Sequence, residues 1–529
     1  MRSSLRALEG KVAQKNSDYL GYLKRKARKG QERNRLPPMR LLLLLAAAAA
    51  VDGWALGRGA GLGGRRTTPL PTRTSPAHCS LNWRSASSGI VEKSSWQQAL
   101  DSVTGNLTAG GDGSEGTLGS TDLLLLFLPQ HFSEHLHEAT AEAARRLNAS
   151  CAVGAIGAGV IGGGIEVESE ASISAVAGQL PTDSCVRPFV VSTESLPVWG
   201  ALASANESAE GRPGFLLFAD PFSPVTQTLA CLDAAFPASV VAGGLSCPQG
   251  QAPSLALYTR GALCRMLPVG SLAGISLQGP NLEVHSVCAQ GATAVGPTFT
   301  VTKGNDNLVE EIDGKPALAA LQQTAAAIGS MRDRQNSERL LRLLAQGLLY
   351  GTPVGEEEDG DYLVRPIMGG APGGALVLGS PVTPGHTRIR FHVRDAIAAE
   401  DDLRLRLDRY RIGRQFAGRG LPAAPLAAIL FACNGRGRRM YAQAPAGALR
   451  HPVAAHDSVA FGEAISSETA IGGFFCNGEL GSVGAAGLAN PADEHAAALP
   501  TYLHGFTSVY AMLYDTSKGT DEGEGEGEG

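Results

Sequence analysis

Aromatic side chains are scarce in this sequence: Phe, Trp and Tyr together make up 5% of it. Glycine is abundant instead, at 67 of 529 residues, against a usual share of about 7%. Such a chain spends residues on tight turns and close backbone approaches rather than on aromatic packing. Paired cysteines are missing too. The nine Cys are an odd number and none stands in a C-x-x-C pair. The chain is too long for a disulfide scaffold, so structural thiols in a reducing compartment are expected. Walker A, H-E-x-x-H and G-x-S-x-G motifs are absent. That removes the usual signatures of P-loop, zinc-protease and serine-hydrolase chemistry. The apolar run Leu41–Val51 is too short to span ~30 Å of hydrocarbon, so no integral membrane span is expected.

A hydrophobic share of 43% supports real cores and excludes wholesale disorder. The length implies about two or three domains. The formal net charge of −5 averages two unlike parts. Residues 1–80 hold 16 Lys+Arg and 4 Asp+Glu; the remainder is acidic, with a net of −17. An acidic body lacks the basic footprint that phosphates require, which argues against nucleic acid as a partner.

The basic head reads as an address. Met39-Arg40 precedes the Leu/Ala run Leu41–Val51, and Gly53 and Ala55 follow as small residues. This is the layout of a signal core, placed late in the chain, as if Met39 rather than Met1 were the start. From Gly53 to Val91 there is no Asp or Glu, while Arg58, Arg65, Arg66, Arg73 and Arg84 recur among Gly, Ser and Thr. Signal core plus transit-like segment predicts a two-part plastid address over residues 1–92, a disordered N-terminal head; a plain disordered basic segment, with a cytoplasmic location, is the alternative. Residues 514–529 end in alternating Gly and Glu, expected to form a solvated, disordered acidic tail.

The body reads as α/β. Leu123–Leu128 is an apolar run of strand length closed by Pro129, His131–Leu147 has helical spacing, and Cys151–Ile156 is a second run. Phe215–Phe218 and Val240–Val241 are further buried-strand candidates. Glu283–Cys288 and Thr298–Thr302, with the turn Lys303–Asn307, look like hairpins. Helices are expected over Lys315–Leu321, Ser337–Leu349 and Asp395–Tyr410, and a loop over Gly355–Asp361. His386–Arg394 alternates as a half-buried strand, with Arg388, Arg390, His392 and Arg394 on its polar face. Ala427–Phe431, Ile471–Phe475 and Tyr502–Tyr514 complete the strands.

The clearest internal echo is FACNGRG at Phe431–Gly437 and FFCNGELG at Phe474–Gly481. Each runs from an apolar strand into Cys-Asn-Gly, where a Gly after Asn permits positive φ and lets N–H groups turn toward one point. If the two strands are neighbours, the loops line one pocket at their ends. The ligand-binding candidates are Cys433, Asn434, Gly435, Arg436, Gly437, Cys476, Asn477, Gly478 and Glu479. Arg436 and Glu479 are expected to project complementary charges, and ordinary strand-exit turns are the alternative. Cys433, Cys476 and His504 raise the option of a Cys–His nucleophile, but buried strand cysteines are usually small hydrophobes. No third group to orient such a pair is identifiable, and an enzyme is the less favoured reading.

Gly157–Gly162 fits G-x-G-x-x-G but leads into Gly163-Gly164 and the alternating Ile165–Val167 rather than a helix. A Gly loop approaching a ligand is expected there before a dinucleotide site. His131, His135 and His137 lack a further ligand at fixed spacing, so no metal site is expected.

These motifs, taken together, resemble the FIST-domain family. The N-terminal half is carried by DLLLLFLPQHF at Asp122–Phe132, GAIGAGVIGGGIEVE at Gly154–Glu168, GGLS at Gly243–Ser246 and EEIDGKPA at Glu310–Ala317. The C-terminal half is carried by VTPGHTRIRFHVRDA at Val382–Ala396, FACNGRG, GGFFCNGELG at Gly472–Gly481 and YLHGFTSVYAML at Tyr502–Leu513. The resemblance implies two mixed α/β units with sheets flanked by helices, over 120–312 and 313–513. Thr104–Gly119 and Ser482–Pro500 stand out as low-complexity insertions. It also implies a sensory or signal-transduction module without a cofactor, binding small ligands such as amino acids. Members are paired with signalling domains in microbes and with an F-box in some eukaryotic proteins, so the alternative it implies is a protein-interaction or substrate-adaptor role with a signalling or ubiquitin-ligase component as partner. No three-helix apolar pattern of that kind is present in residues 1–110.

Overall fold

A computed structural model describes residues 83–92, 95–108, 120–168, 170–192, 210–354, 361–417, 422–488 and 500–519. The predicted address before residue 83, most of the Gly355–Asp361 loop and the Gly/Glu run after residue 519 lie outside the described residues.

Leu123–Leu128 has no polar face, and the strand it forms, Thr121–Pro129, is buried along nearly its whole length. Strands buried on both sides belong between layers. Its parallel neighbour is Ala149–Gly157, in register from Thr121↔Ala149 to Pro129↔Gly157. Two more parallel pairs repeat the pattern: Gly214–Ala219 with Val241–Leu245, and Ala427–Cys433 with Ala470–Cys476. Each pair brackets helical chain, as parallel strands require a crossover. The first crossover opens as a 3-10 turn, Gln130–His135, in which Phe132 leaves helical geometry, and only then becomes the helix Leu136–Arg146.

The parallel pairs seed three mixed sheets, each extended by antiparallel strands. These sheets share one core. Phe127, Phe218, Phe431 and Phe474 meet there, with ring centroids 5.2–6.4 Å apart. Four of the aromatics thus meet where layers join, in the offset and edge-on arrangements rings favour. A fourth sheet runs through Ala292–Asn305, Arg388–Arg394, Leu348–Pro353, Tyr362–Ala371, Ala375–Leu378 and Leu308–Ile312. The last strand pairs back with the first, so this sheet closes on itself.

The α/β class read from the sequence is the class of the structure, with sheets flanked by helices. The two halves also exchange strands. The hairpin Gly159–Gly162/Ile165–Glu168 leaves the N-terminal half and pairs with Ala470–Cys476. In return, Glu479–Ser482 pairs with Val241–Leu245, and Thr501–His504 adds outside it.

Several local expectations are corrected. Tyr502–Tyr514 is two strands in different sheets, broken at Phe506, whose φ is +63°. Leu348 and Leu349 leave the helix Arg334–Gln346 for a strand. His392 is buried rather than solvated, and burial lowers its pKa to about 4. Residues 104–108 close the helix Trp96–Thr108, with Leu107 buried, and Arg84–Ser87 is an edge strand paired with Ser174–Gly178. Ser482 ends a strand and Ala485–Ala486 is a short one. Tyr514 and Asp515 complete the strand Thr507–Asp515, followed by a 3-10 turn over Thr516–Gly519. Gly157–Gly164, read as a ligand-approaching loop rather than a dinucleotide site, is instead the end of one strand and most of a hairpin. That hairpin is the exchanged one, turning at Gly163 and Gly164 with φ of +59° and +77°.

Candidate functional site

Cys433 and Cys476 are register partners at the carboxyl ends of two adjacent parallel strands. The two Cys-Asn-Gly loops therefore leave the sheet side by side. Asn434 N donates to Cys476 O at 2.8 Å, and Asn434 Nδ2 lies 3.5 Å from Asn477 Oδ1. Both Asn side chains are exposed. Arg436 N closes a turn on Cys433 O at 2.9 Å, and Gly437 takes φ +69°. In the second loop Asn477 N donates to Leu245 O at 2.9 Å and Leu245 N to Gly478 O at 2.8 Å. Gly478 takes φ +142°. Ends of parallel strands are where α/β sheets commonly hold ligands.

The charged members do not project as the sequence led us to expect. Arg436 is fully buried and spends its charge on Asp457: Nε to Oδ2 at 3.0 Å and Nη2 to Oδ1 at 3.2 Å. Nη2 also reaches the Tyr441 hydroxyl at 2.7 Å. Asp457 further accepts from Tyr441 Oη at 2.6 Å and from the Ser508 hydroxyl. Burial raises the Asp457 carboxyl, but the Arg436 charge and the His456 ring outweigh it and hold it far below the usual carboxylate range. Nη1 of Arg436 is buried with no hydrogen-bond partner.

Glu479 is equally buried. Its Oε2 accepts from Thr507 N at 3.2 Å and Oγ1 at 2.8 Å, while Oε1 is buried without a hydrogen-bond partner. Burial pushes its carboxyl up to about 8. Phe506 roofs the first loop: a Cβ on Gly435 would lie 3.1 Å from its ring, and Arg394 stacks on that ring at 4.4 Å.

His504 donates its Nε2 proton to Gly481 O at 2.9 Å, and burial lowers its pKa to about 4. Burial pushes both Cys433 and Cys476 thiols above their ordinary range. Burial thus disfavours both the thiolate and the imidazolium, which makes a poor nucleophile, although His504 Nδ1 is buried without a hydrogen-bond partner. His131, His135 and His137 do not converge on one point: His135 stacks on Trp96 at 5.1 Å and His137 meets Cys264 O at 2.9 Å.

Sequence reasoning missed the acidic side of this region. The exchanged hairpin carries Glu166 and Glu168 to it. Glu166 accepts from Ser458 N and Oγ, both at 2.8 Å, and Glu168 accepts from Arg438 N at 2.6 Å. Burial and the Asp457 charge push Glu166 up to about 8. The only signal was alternation in Ile165–Glu168, which fixes a strand but not its partner. A cleft of about 900 Å³ opens beside this hairpin, lined by Arg84, Ser85, Gly164, Ser458 and Glu463 among others. The Cys-Asn-Gly residues do not line it.

Residues 122–315 match the family model described as the FIST N domain, and residues 317–482 match the FIST C domain. The chain belongs to the FIST family, whose domains are sensory or signal-transduction modules. It is 30% identical over 370 residues to an uncharacterized protein of Mycobacterium tuberculosis, covering 69% of this chain and 83% of that one. It is 28% identical over 371 residues to an uncharacterized protein of Mycobacterium bovis, with the same coverage of 69% and 83%. Among the described residues, no helix is long and apolar enough to cross a membrane.

Proposed function

We propose that this chain is a sensory protein that binds a small zwitterion of the amino-acid class at the paired Cys-Asn-Gly loops. One observation carries the reading: Arg436 Nη1 and Glu479 Oε1 are buried without hydrogen-bond partners beside the loop ends. A buried unpaired donor or acceptor costs about 1–3 kcal/mol. An α-amino acid offers a carboxylate to the first and an ammonium to the second. Phe506, held at positive φ above Gly435, is the group that must move to admit it. An ammonium beside Glu479 stabilises the carboxylate, so binding near neutral pH releases the proton that burial keeps on it.

Calorimetric titration of the full chain with a panel of amino acids, repeated in two buffers of different ionisation enthalpy, tests this. Saturable binding with proton release near pH 7, lost in Glu479→Gln, is expected. No heat at millimolar ligand removes the reading. The basic head, on the same footing, is proposed to be a plastid address. Identical distributions of tagged full-length and head-deleted protein would count against it.

A further inference from the structure

We infer that Glu400, His451 and His456 form a binding site for a divalent transition-metal ion of the zinc class. The three residues come from separate places in the fold. Glu400 lies on the helix Ala396–Phe416, and His456 opens the helix His456–Ala464. His451 sits in the loop before that helix. Ala455, at φ +56° and ψ +34°, turns the chain between the two histidines. One donor atom from each residue lies within 4.8 Å of the others.

Distances within the cluster suit a shared ion. His451 Nδ1 is 3.0 Å and His456 Nε2 is 3.2 Å from Glu400 Oε1. Ligands held tetrahedrally at about 2.0–2.1 Å from zinc stand about 3.3 Å apart. Glu400 Oε1 is also oversubscribed. Besides the two ring nitrogens it faces His451 N at 2.9 Å and Arg450 N at 2.9 Å, the latter shared with Oε2 at 3.0 Å. A carboxylate oxygen has two lone pairs and cannot accept four good hydrogen bonds. A cation between the rings and the carboxylate resolves the crowding, because the ring nitrogens then donate lone pairs to the ion instead of protons to oxygen.

Outer contacts complete the pattern. His451 Nε2 lies 3.1 Å from Glu463 Oε2, and His456 Nδ1 lies 3.2 Å from Asp457 Oδ1. Metal-bound histidines characteristically give their second nitrogen to a carboxylate, which fixes the tautomer and orients the ring. The His456 ring is also clamped by Tyr441, at a centroid distance of 3.5 Å and an interplanar angle of 15°. A cavity of about 200 Å³ touches His451 and leaves room for water or another ligand as the fourth donor. Two nitrogens and one carboxylate oxygen with an open position suit Zn²⁺, with Co²⁺ as its spectroscopic substitute.

The test uses the full chain without a histidine tag, stripped with chelator and dialysed. Zn²⁺ is titrated by calorimetry and Co²⁺ is followed by its visible d–d absorption. One ion per chain is expected, with a Co²⁺ spectrum distinct from the hydrated ion. His451→Ala removes a ligand and should abolish stoichiometric binding. Glu463 is 68% exposed at its side chain, so Glu463→Gln folds regardless and should weaken binding about 10-fold through its outer contact. The inference is overturned if the wild-type chain shows no saturable micromolar binding. It is equally overturned if neither variant weakens the binding seen.

Discussion

Replacing Asp457 by Asn isolates the charge at the centre of this molecule. The substitution preserves shape but leaves the Arg436 guanidinium, with no exposed surface, facing a neutral amide. Two charge-assisted bonds, at 3.0 and 3.2 Å, lose their ionic partner, as do the Tyr441 and Ser508 hydroxyls. Removing one member of a buried pair costs about 3–5 kcal/mol because the other is stranded. At about 2.1 cal/mol/K of unfolding entropy per residue, that lowers the melting temperature of a body this size by on the order of 5 °C. Thermal unfolding followed by circular dichroism reads the shift. Arg436→Met combined with Asp457→Asn removes the stranded charge and should recover at least half of it. The acid limb carries a sign as well. Because the folded Asp457 pKa is depressed, its contribution is present above the ordinary carboxylate range and lost only as pH falls through the lower folded value. A single variant within about 1 °C of wild type, or a double variant as unstable as the two single losses summed, would refute the reasoning.

Glu479 has the opposite sign. Its folded pKa of about 8 exceeds the ordinary 4.5, so stability falls as pH rises between those values, by on the order of 4–5 kcal/mol. Glu479→Gln should flatten that slope in denaturant melts taken at pH 5 and pH 8. Gly473→Ala places a Cβ 1.9 Å from the Leu430 carbonyl oxygen and should break the central parallel pair, yielding insoluble or markedly destabilised protein. Gly105→Ala, in a helix with nothing within 4 Å, should stabilise by about 0.5–1 kcal/mol in the same assay. A thiol probe on native protein should label the partly exposed Cys185, Cys231 and Cys264 before the buried Cys433 and Cys476; early loss of the last two would revive the nucleophile.

Much of the fold is legible where one residue pattern admits one environment. Six consecutive apolar residues at Leu123–Leu128, closed by Pro129, read as a strand covered on both faces, and the repeated Phe-x-Cys-Asn-Gly endings mark two strands with like exits. What stays hidden depends on pairing across distance. Ile165–Glu168 alternates like any strand, and nothing local says its carboxylates travel to Ser458 and Arg438. Arg436 reads as a loop charge because its counter-ion lies 21 residues on, inside a helix start that periodicity does not flag. His392 alternates with arginines on a polar face, yet its ring fits under Tyr362, 4.9 Å away. Alternation assigns a face to a residue but cannot see what later covers that face.

The exchange of strands has a consequence for how the chain is made. Val241–Leu245 gains its partner at Glu479 and Leu480, so the ribosome must add well over 200 residues before that edge is sealed. At about 5–20 residues per second this is a delay of about 10–50 s. Through that interval a nascent N-terminal half exposes an unpaired, apolar sheet edge, the kind of template on which chains associate wrongly. The hairpin at Gly159–Glu168 waits longer still for Ala470–Cys476. The N-terminal sheets therefore gain their last partners only late in synthesis, and holding factors that shield exposed edges have their window before that.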